Sequence, residues 1–205
     1  MKHITKHTEP ASFTAWKLNN PTATYKEDLK QERAIKQELK KSLIDEQHGL
    51  CCYCECTITK DTSHIEHFKP KGNPLYSNLQ LDYNNLHASC GFNRSGKPEE
   101  HCGHKKYDEF VPELISPLEP DCSTHFAYTL FGEIKHTTNR GKITIELLNL
   151  NSELLKEKRR NLIDFFLSLD DSDFDFEVNE HLDTSKPIFG QFYTMIEYLT
   201  TNKMF

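Results

Sequence analysis

The crowding of cysteines constrains this chain more than any other feature of its sequence: six of the seven lie between Cys51 and Cys102. Cys51 and Cys54 form a C-x-x-C pair, the spacing at which two thiolates from one tight turn reach the same ion. Cys90 and Cys102 complete a four-cysteine set, and a polar insert separates them. Four thiolates leave no open position for water, so we predict a structural Zn²⁺ knuckle that joins two pieces of chain.

The remaining cysteines leave the ligand assignment partly open. Cys52 and Cys56 are interleaved with the predicted ligands, so a pairing slipped onto either of them stays an alternative. Cys122 is expected to be an ordinary buried or free thiol. The N-terminal residues lack the apolar core of a secretory signal, and we therefore expect a reducing cytoplasm, which favours metal ligation over disulfides. No apolar stretch approaches the roughly 20 residues needed to cross a bilayer.

Residues 26–47 are predicted to form a helix, because Ile35, Leu39 and Leu43 repeat every four positions and neither Gly nor Pro interrupts. Gly49 should end it. Four basic side chains of this helix lie near one another and could face phosphates, although a solvated face is the more common explanation. They are Lys26, Lys30, Arg33 and Lys40. Because the net charge is -6, any basic surface for nucleic acid must be local.

Patterns in the C-terminal half complete the prediction of an α+β fold. We expect a hairpin over residues 125–138, a strand over 142–148 and an amphipathic helix capped at Ser152. A last helix is predicted over residues 188–199. The acidic segment 169–183 lacks the Gly and the final Glu of an EF-hand, so it is predicted to be a solvated loop or a protein-docking segment rather than a Ca²⁺ site.

Between the two halves of the knuckle, the segment SHIEHFKPK supplies groups that metal-assisted phosphodiester hydrolysis requires. The Glu66 carboxylate can hold Mg²⁺ or another hard divalent ion, since such ions prefer oxygen ligands. His67 can act as general base on the attacking water, because imidazole accepts a proton near neutral pH. Adjacent strand residues face opposite sides, so this pair requires a strand end or a distorted turn, and Pro70 breaks the chain soon afterwards.

Asn85 is predicted to orient the His67 ring and to select its tautomer through a hydrogen bond. Taken singly, a His or an Asn is more often an ordinary core, surface or loop residue. The order of the motifs is what favours a working site: C-x-x-C, then Glu66-His67, then Asn85, then Cys90. A second ligand of the catalytic metal should come from the helix that follows Cys90.

These motifs resemble the HNH endonuclease superfamily, whose ββα-metal unit presents an acidic-His pair on its first strand, an Asn in the loop and a metal ligand on the helix. CCYCE, SHIEHFKPK, NNLHASC and HCGHKK are similar to the bacterial HNH subfamily that accompanies ATPases in anti-phage defence, including the HNH subunits of Septu-type systems. The resemblance covers most of residues 45–160. It implies a nuclease that uses Mg²⁺ or Mn²⁺ beside the structural Zn²⁺.

We also predict how the chain is divided. Residues 1–48 would form an N-terminal segment and helix, 49–110 the HNH ββα-metal core, and 111–205 an α/β elaboration packed as one unit with that core.

One position departs from the HNH pattern. Many HNH units carry Asn or His directly after the second knuckle cysteine as a ligand of the catalytic metal, whereas Gly103 follows Cys102 here. The candidates for the helix ligand are therefore Asn93, His101 and His104, and His104 is expected to be the best placed.

Two hypotheses of function follow. In the first, the chain cuts phage or foreign DNA and docks on an ABC- or SMC-type ATPase that gates it, with no membrane involved. Phosphate contacts then position the enzyme and require no base-reading code. In the second, the four-cysteine site scaffolds a non-catalytic surface for protein or RNA. A scaffold would have no need for Glu66, His67 and Asn85 together.

Overall fold

A computed structural model describes residues 1–91 and 100–205. The strands are β1 (Ser63–His67), β2 (Leu86–Cys90), β3 (Phe126–Tyr128) and β4 (Ile134–His136). The helices are α1 (Ala11–Asn19), α2 (Arg33–Glu46), α3 (Cys102–Lys106), α4 (Asn139–Leu147), α5 (Glu153–Leu167), α6 (Asp171–Leu182) and α7 (Tyr193–Thr201). A π-helical turn covers Tyr25–Leu29, and short 3-10 turns cover Pro74–Leu79, Tyr83–Asn85 and Cys122–His125. No helix of the described residues is long and apolar enough to cross a membrane.

The helix predicted over 26–47 is present but interrupted. The π-helical turn is capped by the side chain of Thr24, which accepts a hydrogen bond from the amide of Glu27, and α2 begins only at Arg33. α2 buries Leu39 and Leu43 as the periodicity predicted. It ends as predicted near Gly49, which adopts a φ of 76° that favours glycine.

The predicted hairpin is confirmed, but the strand predicted over 142–148 is wrong. β3 and β4 pair antiparallel, with Ala127 opposite Lys135. The chain that follows is helix α4, and the side chain of Thr138 caps it by accepting from the amide of Gly141. The β-branched residues favoured a strand, yet the helix buries Thr144 and Ile145 against the core.

The loop predicted over 169–183 is also wrong, because this segment forms α6. Asp170 caps the helix by accepting hydrogen bonds from the amides of Ser172 and Asp173. Acidic residues in the first turn complement the positive end of the helix dipole, so the crowding of carboxylates stabilises a helix start here. The helix at Ser152 is confirmed as α5, and the last helix is confirmed as α7, which starts later than predicted.

One cluster of buried apolar residues runs from Met1 to Leu199 and includes the cysteines of the predicted knuckle. β1 and β2 form an antiparallel hairpin with Ser63 opposite Cys90 and His67 opposite Leu86. Both α2 and α3 pack against β2. The fold thereby brings the start of α3 beside β1, although these segments are far apart in sequence.

Candidate active site and cysteine cluster

Four sulfur atoms converge where the two halves of the knuckle meet. The ligand atoms of Cys51, Cys54, Cys90 and Cys102 all lie within 4.8 Å of one another, and all four residues are buried. A tetrahedral thiolate site with 2.3 Å bonds places its sulfurs about 3.8 Å apart, so the cluster fits a metal ion. The amide of Cys90 donates to Cys51 Sγ at 3.3 Å, a contact that favours the thiolate form.

Cys56 and Cys122 differ in their distance from the cluster. Cys56 is buried beside Cys54 and Cys90, at the edge of the cluster. The Cys122 thiol is buried and donates to the carbonyl of Met1 at 3.4 Å, away from the other six.

Glu66 lies near the C-terminal end of β1 and is only 5% exposed. Its Oε1 accepts a hydrogen bond from Tyr53 Oη at 3.2 Å and pairs with Lys106 Nζ at 3.0 Å, while Oε2 lies 3.2 Å from His64 Nε2. Burial favours the neutral acid, but the hydrogen bond from His64 and the charge of Lys106 hold the pKa of Glu66 below its usual value. The site therefore contains a buried carboxylate anion.

His67 ends β1, so the pair lies at a strand end. Its Nε2 lies 3.0 Å from the carbonyl oxygen of Gln80, and the ring of Tyr25 packs edge-on against it. A carbonyl can only accept, so Nε2 carries the proton and Nδ1 carries the lone pair. Nδ1 is buried and has no hydrogen-bond partner among the described residues. Burial, aided by the charge of Lys71, lowers the pKa of His67 to about 4.

Asn85 has different partners from those predicted. Its side chain accepts from the amide of Lys69 at 2.8 Å and donates to the carbonyls of Lys69 and Leu79 at 2.9 and 3.1 Å. The His67 ring is instead held by the Gln80 carbonyl, one residue beyond Leu79. Asn85 thus clamps the loop that presents this carbonyl, and its effect on the ring is indirect.

A cavity of about 590 Å³ opens in front of Glu66. Its lining includes Lys26, Lys30, Lys36 and Lys71, together with Tyr25 and the groups around Glu66. Lys30, Lys36 and Lys71 form no ion pair with the described residues. Burial and the like charges of Lys30 and Lys71 lower the pKa of Lys36. Asp108 and Glu66 also line the cavity, but the lysines outnumber these carboxylates, and such an excess of cations is a feature of anion-binding surfaces.

The four basic residues predicted to lie near one another do not all face the cavity. Lys26 and Lys30 line the cavity, and Lys36 of α2 joins them. Lys40 instead donates to the carbonyl of Ser63 at 2.6 Å, and Arg33 is exposed without lining the cavity.

Comparison with known proteins finds two relatives of this chain. It is 28% identical to a candidate HNH endonuclease of retron Ec83 from Escherichia coli, over 81% of this chain and 80% of that protein. It is also 28% identical to the Septu protein PtuB from Bacillus thuringiensis, over 74% of this chain and 55% of PtuB. The chain is therefore a relative of PtuB-like HNH proteins. No family model matches it.

The HNH resemblance predicts a metal ligand on the helix after Cys90. Two of the three candidates for this ligand lie in different places in the structure. His101 points to the cysteine cluster, with Nδ1 3.1 Å from Cys102 Sγ. His104 instead faces the cavity, and its ring centroid lies 4.5 Å from that of His64. Asn93 lies outside the described residues.

Sequence reasoning missed His64 and the steric role of Gly103 in this site. A Cβ at position 103 would lie 2.5 Å from Glu66 Oε2 and 2.6 Å from His64 Nε2, so a side chain cannot fit without displacing them. The spacing of His64 and Glu66 was a usable signal, because residues two apart on a strand face the same side.

Proposed function

We propose that the chain is a metal-dependent HNH endonuclease that hydrolyses phosphodiester bonds of foreign DNA in anti-phage defence, acting with an ABC- or SMC-type ATPase. The observation that carries the proposal is the buried Glu66 carboxylate on the cavity wall, followed at the end of β1 by the His67 ring that the Gln80 carbonyl orients. In this proposal residues 49–110 form a ββα-metal core from β1, β2 and α3. The names of the two relatives, an HNH candidate of a retron and a Septu protein, support the nuclease and the defence setting.

In the proposed reaction, His67 Nδ1 accepts the proton of the attacking water. The water oxygen then forms a bond to phosphorus while the bond from phosphorus to the leaving oxygen breaks. The Gln80 carbonyl keeps Nε2 protonated and the lone pair on Nδ1. Asn85 positions this carbonyl through the backbone of Leu79 and is therefore a positioning residue.

Two metal ions belong to the proposal. The four-cysteine cluster would hold structural Zn²⁺, since four thiolates suit that ion and leave it no open position. Glu66 and His104 would hold Mg²⁺ or Mn²⁺ at the cavity wall. That ion would neutralise charge on the scissile phosphate, while Lys106 keeps the carboxylate anionic through its ion pair.

The lysines of the cavity support a polyanionic substrate. Phosphate contacts from Lys30, Lys36 and Lys71 would position a backbone near Glu66 without reading its sequence. A local patch of this kind is compatible with a chain of net charge -6.

The test is cleavage of supercoiled plasmid, linear DNA and RNA with Mg²⁺ or Mn²⁺, each with and without the product of the neighbouring gene. His67→Ala should abolish cutting, while His136→Ala should not, because His136 is exposed on β4 away from the cavity. Equal cutting by His67→Ala protein and wild type would refute the mechanism. If wild-type protein cuts none of these substrates and His67→Ala protein supports defence in cells, the non-catalytic scaffold is the better explanation.

A further inference from the structure

His64 Nε2 and Glu66 Oε2 lie side by side on the cavity wall, where they share a hydrogen bond that a bound ion would replace. Both residues lie on β1 and, being two apart, face the same side of the strand. His64 Nε2 and Glu66 Oε2 are 3.2 Å apart. Two ligand atoms on one ion, each with a bond of about 2.1 Å at near-right angles, are about 3 Å apart. Their separation therefore fits two ligands of a single ion.

Gly103 keeps the two donor atoms in place. A Cβ at position 103 would lie 2.5 Å from Glu66 Oε2 and 2.6 Å from His64 Nε2, so any side chain there would displace both atoms. His64, Glu66 and Gly103 all line the 590 Å³ cavity, so an ion can reach the two donor atoms from that side.

We propose that His64 is a ligand of the catalytic ion together with Glu66, and that Gly103 is required because a side chain at this position would displace both ligands. This inference rests on the proposed nuclease function and deepens its metal site. A histidine of β1 thereby supplies a ligand that the residue after Cys102 does not. His104 adds a third donor from α3, since its ring lies 4.5 Å from that of His64.

The donor set determines which ion is preferred. Two imidazoles and one carboxylate bind first-row transition ions better than Mg²⁺, because Mg²⁺ prefers oxygen ligands and retains its waters. We therefore expect Mn²⁺ to bind the zinc-loaded protein at least about ten-fold more tightly than Mg²⁺.

The experiment is a Mn²⁺ titration of the zinc-loaded full chain, with free Mn²⁺ followed by electron paramagnetic resonance. Mn²⁺ is a hard ion and competes poorly for the four thiolates. Wild-type protein should bind one Mn²⁺, and an excess of Mg²⁺ should displace it only weakly. His64→Gln and Gly103→Ala should each weaken binding by about ten-fold or more, the first by removing a donor and the second by displacing both donor atoms. His136→Gln is the matched control and should bind as wild type.

Zinc content and circular dichroism establish that each variant is folded. If the His64→Gln protein does not fold, Gly103→Ala provides the test. Unchanged Mn²⁺ binding by both variants would overturn the inference. If the variants also cut DNA as wild type does, the nuclease function stands and only the ligand assignment fails. If wild-type protein binds Mn²⁺ through His64 but cuts no nucleic acid, the ion site stands and the proposed nuclease function fails.

Discussion

Tyr25 packs the edge of its ring against the ring of His67, with 4.5 Å between the centroids and 89° between the planes. The contact joins the π-helical turn ahead of α2 to the residue proposed as general base. Lys71 Nζ also lies 5.4 Å from the centroid of the Tyr25 ring. The π-helical turn ahead of α2 therefore forms part of the wall of the site.

Tyr25→Ala should make His67 more accessible, because His67 is 4% exposed and the Tyr25 ring covers part of it. We expect faster modification of His67 by diethyl pyrocarbonate, measured by mass spectrometry of its peptide. The exposed His136 should react at the same rate in both proteins and serves as the internal reference. An unchanged rate at His67 would mean that other residues shield it.

Lys36→Ala and Lys71→Ala should each weaken DNA binding and reduce its salt dependence. Each lost phosphate contact lowers the slope of log K against log salt by about 1. The measurement is the affinity of catalytically inactive His67→Ala protein for a DNA duplex over a range of KCl concentrations. Lys41→Ala is the control, since Lys41 is on α2 but pairs with Asp45 and is absent from the cavity lining. A slope unaffected by the Lys36 and Lys71 changes would remove these lysines from the binding surface.

Cys90→Ser should lower zinc content and the unfolding temperature, because the cluster then loses one of four thiolates. Cys122→Ser should change zinc content little, since Cys122 lies outside the cluster. Both are measured by atomic absorption and thermal unfolding.

Cys56→Ser tests whether the metal pairing is slipped onto Cys56. Cys56 borders the cluster without belonging to its four converging sulfurs, so this variant should retain its zinc. Loss of zinc from Cys56→Ser protein, with retention by Cys54→Ser protein, would reverse the assignment.

Asn85→Ala should reduce both stability and cleavage. It removes three hydrogen bonds to the loop backbone and leaves buried polar groups unpaired, which costs about 1–3 kcal/mol in the free energy of unfolding. Urea unfolding and plasmid cleavage measure the two effects. Asn84→Ala is the matched control, because the neighbouring Asn84 is exposed. Wild-type cleavage by folded Asn85→Ala protein would show that the loop needs no such clamp.

The parts of the site predicted from sequence depend on short-range spacing. The C-x-x-C pair indicated a common ion, and the adjacent Glu66 and His67 indicated a strand end, because both follow from local backbone geometry. The partner of the His67 ring could not be predicted, since it is a backbone carbonyl and any residue supplies one. The relation of Gly103 to Glu66 was equally hidden, because it depends on how α3 packs beside β1.

The two errors in the predicted secondary structure are explained by helix caps and by burial. Residues 142–148 contain β-branched side chains that favour strands, but the Thr138 cap and the burial of Ile145 decide for a helix. In the acidic segment, the same carboxylates that suggested a solvated loop cap α6 and favour its first turn. The two caps are local signals that the sequence analysis did not weigh, whereas the burial of Ile145 depends on tertiary contacts that intrinsic propensity does not contain.

Glu55 lies in the turn between Cys54 and Cys56 and is buried with a φ of 62°. Its carboxylate accepts hydrogen bonds from the backbone amide and the hydroxyl of Thr194, at the start of α7. Removing α7 would leave this buried carboxylate without two of its hydrogen-bond donors, immediately beside the thiolates. A shortened chain that ends soon after residue 110 would keep every residue assigned here to chemistry and still lose the support of its metal-binding turn.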